Sequence, residues 1–300
     1  MSMSAPAMSA RSSRSRSSSP ILSAIAAIGG STPAARTARR ANWPTAACSI
    51  LSAGRLASVY VTACKRPMNG TANPSPPVSF APNAHAVNAV NATGFPLDQN
   101  GLWREIRNPR AGLSPRPALF LDRDGTLIEL VEFISTPDDV RPIAEAVALA
   151  ARARAMDIPT VMVTNQSGIA RGHYDWQHFA AVQEAVIAAV AAGGGEIDAV
   201  YACPALPGSG AACRKPNPGM LLAAAEDLAL DLAQSWIVGD AASDLAAGAN
   251  AGLRHGWLVA TGYGAQERGD ALALGGPGFD VSVGRPLSEL GELLSGLSNA

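Results

Sequence analysis

The feature that most constrains the fold is a regular alternation of two kinds of segment from Pro115 onward. Short apolar runs of the kind found in strands buried on both faces alternate with Ala- and Leu-rich stretches typical of helices. This alternation predicts an α/β fold, Rossmann-like, with a parallel sheet covered by helices on both faces. The predicted strands are 118–122, 158–164, 197–202, 235–239, 255–260 and 279–283, and the predicted helices are 141–156, 175–192, 218–230, 243–251 and 286–297.

Charge is distributed unevenly along the chain. The first acidic residue is Asp98, so all 24 Asp and Glu lie from there on, whereas nine of the 23 Lys and Arg precede it. The formal charge is therefore +9 before Asp98 and −10 after it, which argues against one cooperative domain. Residues 1–97 are rich in Ser, Ala and Arg and lack apolar periodicity, so we predict a disordered basic extension there.

Three interpretations of residues 1–97 remain open. The segment is an upstream stretch included through an early start codon, with Met68 as the true start, or it is a targeting peptide, since acid-poor leaders rich in Arg and Ser resemble transit peptides. The third interpretation is a disordered tail that contacts anions. We predict a linker over residues 98–116 and a single folded domain over residues 117–300.

Composition also limits the setting of the protein. No apolar run is long enough to span a bilayer. The four cysteines, Cys48, Cys64, Cys203 and Cys213, are too few for a disulfide scaffold in a chain of this length. A reducing, cytoplasmic setting fits these features. We also expect a monomer, with no membrane or nucleic-acid partner.

Two carboxylates stand where the first predicted strand meets a turn. Asp122 and Asp124 lie two residues apart and are followed by Gly125 and Thr126. In an open α/β sheet, ligands bind beyond the carboxyl ends of the strands. A single acid there is explained equally well as a turn former, because Asp and Gly favour turns. The pair alone therefore does not identify a function.

Three further polar groups follow in order at strand ends or helix starts. They are Thr164-Asn165-Gln166-Ser167-Gly168, Arg214-Lys215-Pro216, and Gly239-Asp240 with Ser243-Asp244. Taken singly, a basic pair is usually a solvated surface pair, and an acid in a first helical turn is favoured by the helix dipole alone. Together they predict one crevice that holds acids, a hydroxyl, an amide and a cation.

The four segments FLDRDGT, VTNQSG, CRKPNPG and VGDAASD resemble the four ordered motifs of the haloacid dehalogenase-like phosphatase superfamily, over about residues 117–283. Within it, TNQSGIARG and CRKPNPGML are similar to the D-glycero-D-manno-heptose 1,7-bisphosphate phosphatases and their histidinol-phosphatase relatives. The short interval between Asp122 and Thr164 leaves room for one helix, so we expect a capless member.

The resemblance implies a role for each catalytic position. Asp122 would be the nucleophile that forms an aspartyl-phosphate. Asp124 would protonate the leaving oxygen and then act as base toward water. Thr164 and Asn165 would hydrogen-bond the phosphoryl group, and Lys215 would offset its charge.

The resemblance also implies a metal and a substrate. Mg²⁺ would be held by the carboxylates of Asp122 and Asp240 and by the backbone carbonyl of Asp124, with Asp244 as a candidate in the surrounding layer. The expected substrate is a small phosphorylated metabolite, contacted by Gln166, Ser167 and Arg214 besides the phosphoryl-binding residues.

Alternatives remain for both the substrate and the class of function. A heptose bisphosphate is the first expectation, and histidinol phosphate or another sugar or polyol phosphate is the alternative. A phosphate-binding or regulatory module without turnover is an alternative from another class. The intact Asp122, Asp124, Thr164, Lys215 and Asp240 argue against it, because such a module needs no nucleophile.

The chain departs from the heptose and histidinol enzymes in two places. Their zinc loop reads Cys-x-His, a spacer and Cys-x-Cys, but here Ala205 and Ala211 stand at two ligand positions. We therefore predict no zinc, with Cys203 and Cys213 as ordinary small residues. The stretch 129–134 replaces a polar stretch that reaches substrate, and Ala241 stands where the heptose enzymes tend to have lysine. Both changes leave substrate identity open.

Overall fold

The computed structural model describes residues 94–109 and 115–297. The strands are β1 Trp103–Ile106, β2 Leu119–Leu121, β3 Thr160–Asn165, β4 Ala199–Cys203, β5 Trp236–Gly239, β6 His255–Leu258 and β7 Asp280–Val283. The helices are α1 Ala144–Ala155, α2 Ser167–Ala170, α3 Trp176–Ala192, α4 Gly219–Leu228, α5 Ala242–Ala251, α6 Gly264–Ala273 and α7 Leu287–Leu297. The α/β fold class predicted from the alternation is confirmed.

The strands form one sheet in the order β1-β4-β3-β2-β5-β6-β7. All neighbours are parallel except β1, which pairs antiparallel with β4. From β2 the chain builds outward through β3 and β4, and then returns to place β5 on the other side of β2. The strand order thus reverses between β2 and β5, where parallel α/β sheets open a ligand crevice at the carboxyl ends.

Helices cover both faces of the sheet, as the apolar runs predicted. In β2, Leu119 and Leu121 face one hydrophobic core with α1, α3 and α7, while Phe120 faces a second core with α4, α5 and α6. All three side chains are fully buried. The central strand is therefore rigidly packed on both sides, which fixes the position of the residues that follow it.

The predicted linker over 98–116 is wrong in its middle part, because it contains β1. The strand WREI buries only its two ends, so it has no continuous apolar run for a sequence pattern to detect. Trp103 packs against Trp176 and Phe179, with ring centroids 5.4 and 5.0 Å apart. Phe95 and Leu97, assigned to the extension, also pack against this core.

Helix α6 and the connection between β2 and β3 also bear on the predictions. Helix α6 was not predicted, since its sequence GAQERGDALA has one large apolar residue and two glycines, and it buries only Gly264 and Ala271. Between β2 and β3, the chain forms only a short 3₁₀ helix, Pro137–Asp139, and α1, which confirms the capless architecture. Residues 1–93 of the predicted extension lie outside the described part. Within residues 94–109 and 115–297, no helix combines the length and apolarity needed to cross a bilayer.

Candidate active site

The predicted site residues meet in one cavity of about 320 Å³ at the carboxyl ends of β2, β3 and β5. Each of the strand-end groups from the sequence contributes side chains to its wall. The predicted residues that line it are Asp122, Asp124, Thr164, Asn165, Gln166, Ser167, Arg214, Lys215, Asp240 and Asp244. Residues from distant parts of the sequence thus converge, because the carboxyl ends of parallel strands lie at the same sheet edge.

A buried lysine bridges two carboxylates at the base of the cavity. Lys215 Nζ lies 2.6 Å from Asp122 Oδ1 and 2.6 Å from Asp244 Oδ1, and it donates to Val163 O at 2.8 Å. Burial lowers the Lys215 pKa, but the attraction of Asp122 and Asp244 outweighs it, so the pKa lies above its usual value. Asn165 holds the lysine backbone through contacts of 3.1 and 3.2 Å.

Negative charge exceeds positive charge around Asp122. Burial raises the Asp122 pKa well above its usual value; Lys215 opposes this, while Asp244 and Asp240 add to it. Ligand oxygens of Asp122, Asp240 and Asp244 lie within 4.8 Å of one another, and all three residues are buried. Three carboxylates around one ammonium leave a site that a hard cation with oxygen ligands fits.

Asp240 is held against backbone that only glycine permits. Its Oδ2 accepts from Tyr263 N at 2.9 Å, which lowers its pKa, but burial dominates and raises the pKa to about 7. A Cβ on Gly125 would lie 2.1 Å from Asp240 Oδ2, and one on Gly262 only 1.9 Å from it. Both glycines have positive φ, +82° and +57°. The carboxylate therefore occupies space that any side chain at these positions would take.

Asp124 is oriented by protein contacts rather than left free in the cavity. Arg123 Nη2 lies 2.9 Å from its Oδ2, and Gln166 Nε2 donates to the same oxygen at 2.9 Å. Arg123 is only 1% exposed, and its guanidinium lies 5.4 Å from the centroid of the Phe179 ring. The buried guanidinium therefore orients the carboxyl group of the proposed proton-transfer residue.

Gln166 departs from the predicted substrate contact. Its Nε2 donates to Asp124 Oδ2 and, at 2.7 Å, to Thr164 Oγ1, while its Oε1 accepts from Tyr174 and Arg123. Both amide hydrogens and both acceptor positions are thus used within the chain, so the side chain has nothing left to offer a substrate.

Sequence reasoning missed Arg123 and Tyr174. Arg123 stands between the two acids of FLDRDGT, and that position was the available signal. Tyr174 follows α2 and carries no pattern that could have identified it. Burial raises the Tyr174 pKa to about 12, so its hydroxyl stays protonated and donates.

Arg214 lies on the cavity wall, where the sequence placed a substrate contact. Its Nη1 donates to Ala205 O at 2.8 Å, which anchors one side of the guanidinium. Burial lowers its pKa, and the nearby charge of Arg171 lowers it further. The neighbourhood of two guanidinium groups is suited to an anion.

The replacements at 129–134 and at Ala241 lie in the same wall. The loop from Leu130 to Ile134 lines the cavity together with Ala241. Phe133 has φ +52° and packs its ring against His173 in a tilted arrangement, with centroids 4.2 Å apart. These replacements alter the surface that a substrate would contact beyond its phosphoryl group.

Cys203 and Cys213 form a disulfide, so the prediction that both are ordinary small residues is wrong. Their Cα atoms lie 5.7 Å apart, within the usual range for a disulfide, because the loop after β4 turns back on itself. The bond joins the end of β4 to the residue before Arg214. A ten-residue separation in sequence gave no sign of this approach.

Comparisons with known proteins agree with the fold and the site. Residues 212–277 match the family described as HAD-hydrolase-like. A D-glycero-beta-D-manno-heptose-1,7-bisphosphate 7-phosphatase from Mesorhizobium japonicum is 43% identical over 217 residues, which covers 68% of this chain and 93% of that protein. Its counterpart from Bordetella bronchiseptica is 38% identical over 177 residues, which covers 59% of this chain and 96% of that protein.

Solved structures give the same result. A HAD-like phosphatase from Mesorhizobium loti has a TM-score of 0.59 at 39% identity, covering 68% of this chain and 97% of that one. Another solved structure is the D,D-heptose 1,7-bisphosphate phosphatase from B. bronchiseptica, complexed with magnesium and phosphate. It has a TM-score of 0.53 at 37% identity and covers 61% of this chain and 99% of that one. This chain belongs to the haloacid dehalogenase-like phosphatases. The curated relatives above are all named heptose bisphosphate 7-phosphatases.

Proposed function

We propose that this chain is a Mg²⁺-dependent phosphomonoesterase that removes the 7-phosphate of D-glycero-D-manno-heptose 1,7-bisphosphate through an aspartyl-phosphate on Asp122. The observation that carries the proposal is the position of Asp122. It directly follows the central strand, faces the cavity, and has the Lys215 ammonium 2.6 Å from its Oδ1. The similarity to heptose bisphosphate 7-phosphatases supports the substrate.

The chemistry has two steps that use the same two acids. In the first, an Asp122 oxygen bonds to phosphorus, the bond to the leaving oxygen breaks, and Asp124 gives that oxygen a proton. In the second, the Asp124 carboxylate takes a proton from water, whose oxygen attacks phosphorus and releases inorganic phosphate and Asp122. Thr164 and Lys215 stabilise the negative charge on the phosphoryl oxygens.

The donor set fits Mg²⁺. The carboxylates of Asp122 and Asp240 and the backbone carbonyl of Asp124 would hold it, while Asp244 is engaged with Lys215 Nζ at 2.6 Å and with Ala241 N at 3.0 Å. Asp244 therefore holds the lysine in place. When bound, Mg²⁺ supplies positive charge that offsets the phosphoryl oxygens and the buried carboxylates.

The mechanism is tested by replacing Asp122 with Asn, which is nearly isosteric but cannot attack phosphorus. We expect no turnover of any phosphomonoester and an unfolding temperature at least as high as that of the unaltered protein, because a buried charge is removed. Asp280→Asn, at a side chain that is 84% exposed, is the matched control and should remain active. Turnover by Asp122→Asn would exclude the covalent mechanism.

The substrate is tested with a panel of phosphorylated metabolites and with Arg214→Ala. We expect the substitution to raise KM for the bisphosphate more than it lowers kcat, because it removes binding common to ground and transition states. Arg116→Ala, whose partner Asp157 is exposed, is the control. A kcat/KM for histidinol phosphate about tenfold above that for the heptose bisphosphate, about 1.4 kcal/mol, would refute the substrate and leave the mechanism standing.

We further propose that the chain works as a monomer, on a soluble metabolite and without zinc. The acids, the hydroxyl and the ammonium that the proposed mechanism uses all line this one cavity, which supports a site complete within a single chain. Light scattering during size exclusion at working concentration tests this. A stable dimer whose dissociation abolishes activity would contradict it.

A further inference from the structure

A chain of hydrogen bonds leads from a buried phenol to the proposed proton-transfer group. Tyr174 Oη donates to Gln166 Oε1 at 2.5 Å, and Gln166 Nε2 donates to Asp124 Oδ2 at 2.9 Å. Arg123 Nη2 reaches both partners, at 3.0 Å from Gln166 Oε1 and 2.9 Å from Asp124 Oδ2. The carboxylate of Asp124 is therefore oriented by a network of side chains that its own chain supplies.

The partners of Gln166 determine which way its amide points. The carbonyl end faces two donors, the Tyr174 hydroxyl and the Arg123 guanidinium, so it must be the oxygen. The opposite end then presents two N–H groups, one to Asp124 and one to Thr164. A rotated amide would direct N–H groups at Arg123 and an oxygen at the Asp124 carboxylate, and both contacts would be repulsive.

The Tyr174 ring is fixed against the backbone that follows β3. It is 8% exposed, and a Cβ on Gly168 would lie only 2.2 Å from its Cε1 atom. The ring thus packs directly onto the segment that carries Gln166. Its hydroxyl is therefore held at a defined place relative to the carboxyl end of the strand.

We propose that Tyr174 is a positioning residue: through the Gln166 amide it holds the Asp124 carboxyl group in the orientation from which it protonates the leaving oxygen. The inference rests on the proposed function and adds a residue to it. In the step concerned, the bond between Asp122 and phosphorus forms, the bond from phosphorus to the leaving oxygen breaks, and the Asp124 proton moves to that oxygen. The transfer depends on alignment, which a loosened amide would degrade.

Leaving-group chemistry distinguishes this role from simple packing. The alkoxide of a sugar or polyol leaves only if it is protonated, whereas 4-nitrophenolate leaves without a proton. A misaligned acid therefore slows the first step, which kcat/KM reports, for sugar phosphates, and it hardly affects that step for 4-nitrophenyl phosphate. Loss of packing around the site would slow both substrates alike.

The experiment compares Tyr174→Phe with Tyr201→Phe in the full chain. Both substitutions keep the ring and remove one hydroxyl, and the Tyr201 hydroxyl donates to Asp227 at 2.7 Å, outside the cavity. For Tyr174→Phe we expect kcat/KM to fall about tenfold for the best sugar phosphate, with little change for 4-nitrophenyl phosphate. Tyr201→Phe should change neither value.

A second variant tests the route through Gln166. In a Gln166→Leu background, Tyr174→Phe should produce no further loss, because the connection to Asp124 is already cut. Additive losses, or equal losses for both substrates, would overturn the inference while leaving the proposed function intact. A wild-type protein that hydrolyses no phosphomonoester would refute the proposed function and this inference with it.

Discussion

Lys215 Nζ lies 2.6 Å from Asp122 Oδ1, with neither side chain more than 8% exposed. Because both side chains are buried, this ion pair affects stability more than a surface ion pair does. The ammonium is the one positive charge in contact with the proposed nucleophile among the described residues, and Asp244 holds it from the other side. Its removal leaves two buried carboxylates facing each other.

We therefore predict that Lys215→Met abolishes activity and destabilises the fold by about 3–5 kcal/mol, the usual result of breaking a buried pair. Denaturant unfolding followed by circular dichroism measures the second effect. Arg116→Met removes a cation whose partner Asp157 is 75% exposed, and it should change stability by less than about 1 kcal/mol. Equal effects of the two substitutions would show that the Lys215 pair is not structurally important.

The raised pKa of Asp240 predicts an unusual pH dependence for the metal-free protein. Its pKa is about 7 in the fold against an ordinary value of 3.8, so the folded state binds more protons between these values. The free energy of unfolding should therefore fall as pH rises from about 4 to about 7. In Asp240→Asn this fall should be smaller.

The measurement is the unfolding temperature across this pH range with a chelator present, with Asp280→Asn as the exposed control. Added Mg²⁺ should stabilise the unaltered protein most near the upper end of the range, because the cation and the proton compete for the same carboxylate. A pH profile that is the same for Asp240→Asn and the unaltered protein would contradict the assignment to Asp240.

The close approach of Gly125 and Gly262 to Asp240 predicts a substitution that weakens Mg²⁺ binding specifically. Gly262→Ala would place a Cβ 1.9 Å from Asp240 Oδ2 and so displace the carboxylate. We expect the Mg²⁺ concentration for half-maximal activity to rise by at least tenfold, about 1.4 kcal/mol of binding. Gly252→Ala is matched, since Gly252 also has positive φ, +88°, but has open space around its Cα. That control should cost about 1–2 kcal/mol of stability and leave the Mg²⁺ requirement unchanged.

The Cys203–Cys213 disulfide and the missing zinc ligands predict how many free thiols and how much zinc the protein contains. Protein unfolded without reductant should show Cys203 and Cys213 unreactive toward an alkylating reagent, and metal analysis should find no stoichiometric zinc. Cys213→Ser should lower stability by about 2–3 kcal/mol, the usual effect of opening a loop of this size. One zinc per chain, or alkylation of both cysteines, would refute this description of the loop.

The sequence by itself determined the layers of the fold and the order of the site residues. Apolar runs report burial on both faces, and polar residues that follow such runs must lie at the carboxyl edge of a parallel sheet. That reasoning placed Asp122, Thr164 and Asp240 in one cavity, and the basic pair before the next helix added Lys215. These inferences succeeded because they depend on patterns that are local in the chain.

Only the tertiary structure decided the features that depend on which distant residues meet. β1 joins the sheet through antiparallel pairing with β4, although its four residues carry no apolar run. The disulfide between Cys203 and Cys213 depends on the path of one loop. Tyr174 reaches Asp124 through an amide that the sequence had assigned to substrate. Packing in three dimensions determines which hydrogen-bond partner a side chain has, and periodicity along the chain does not predict it.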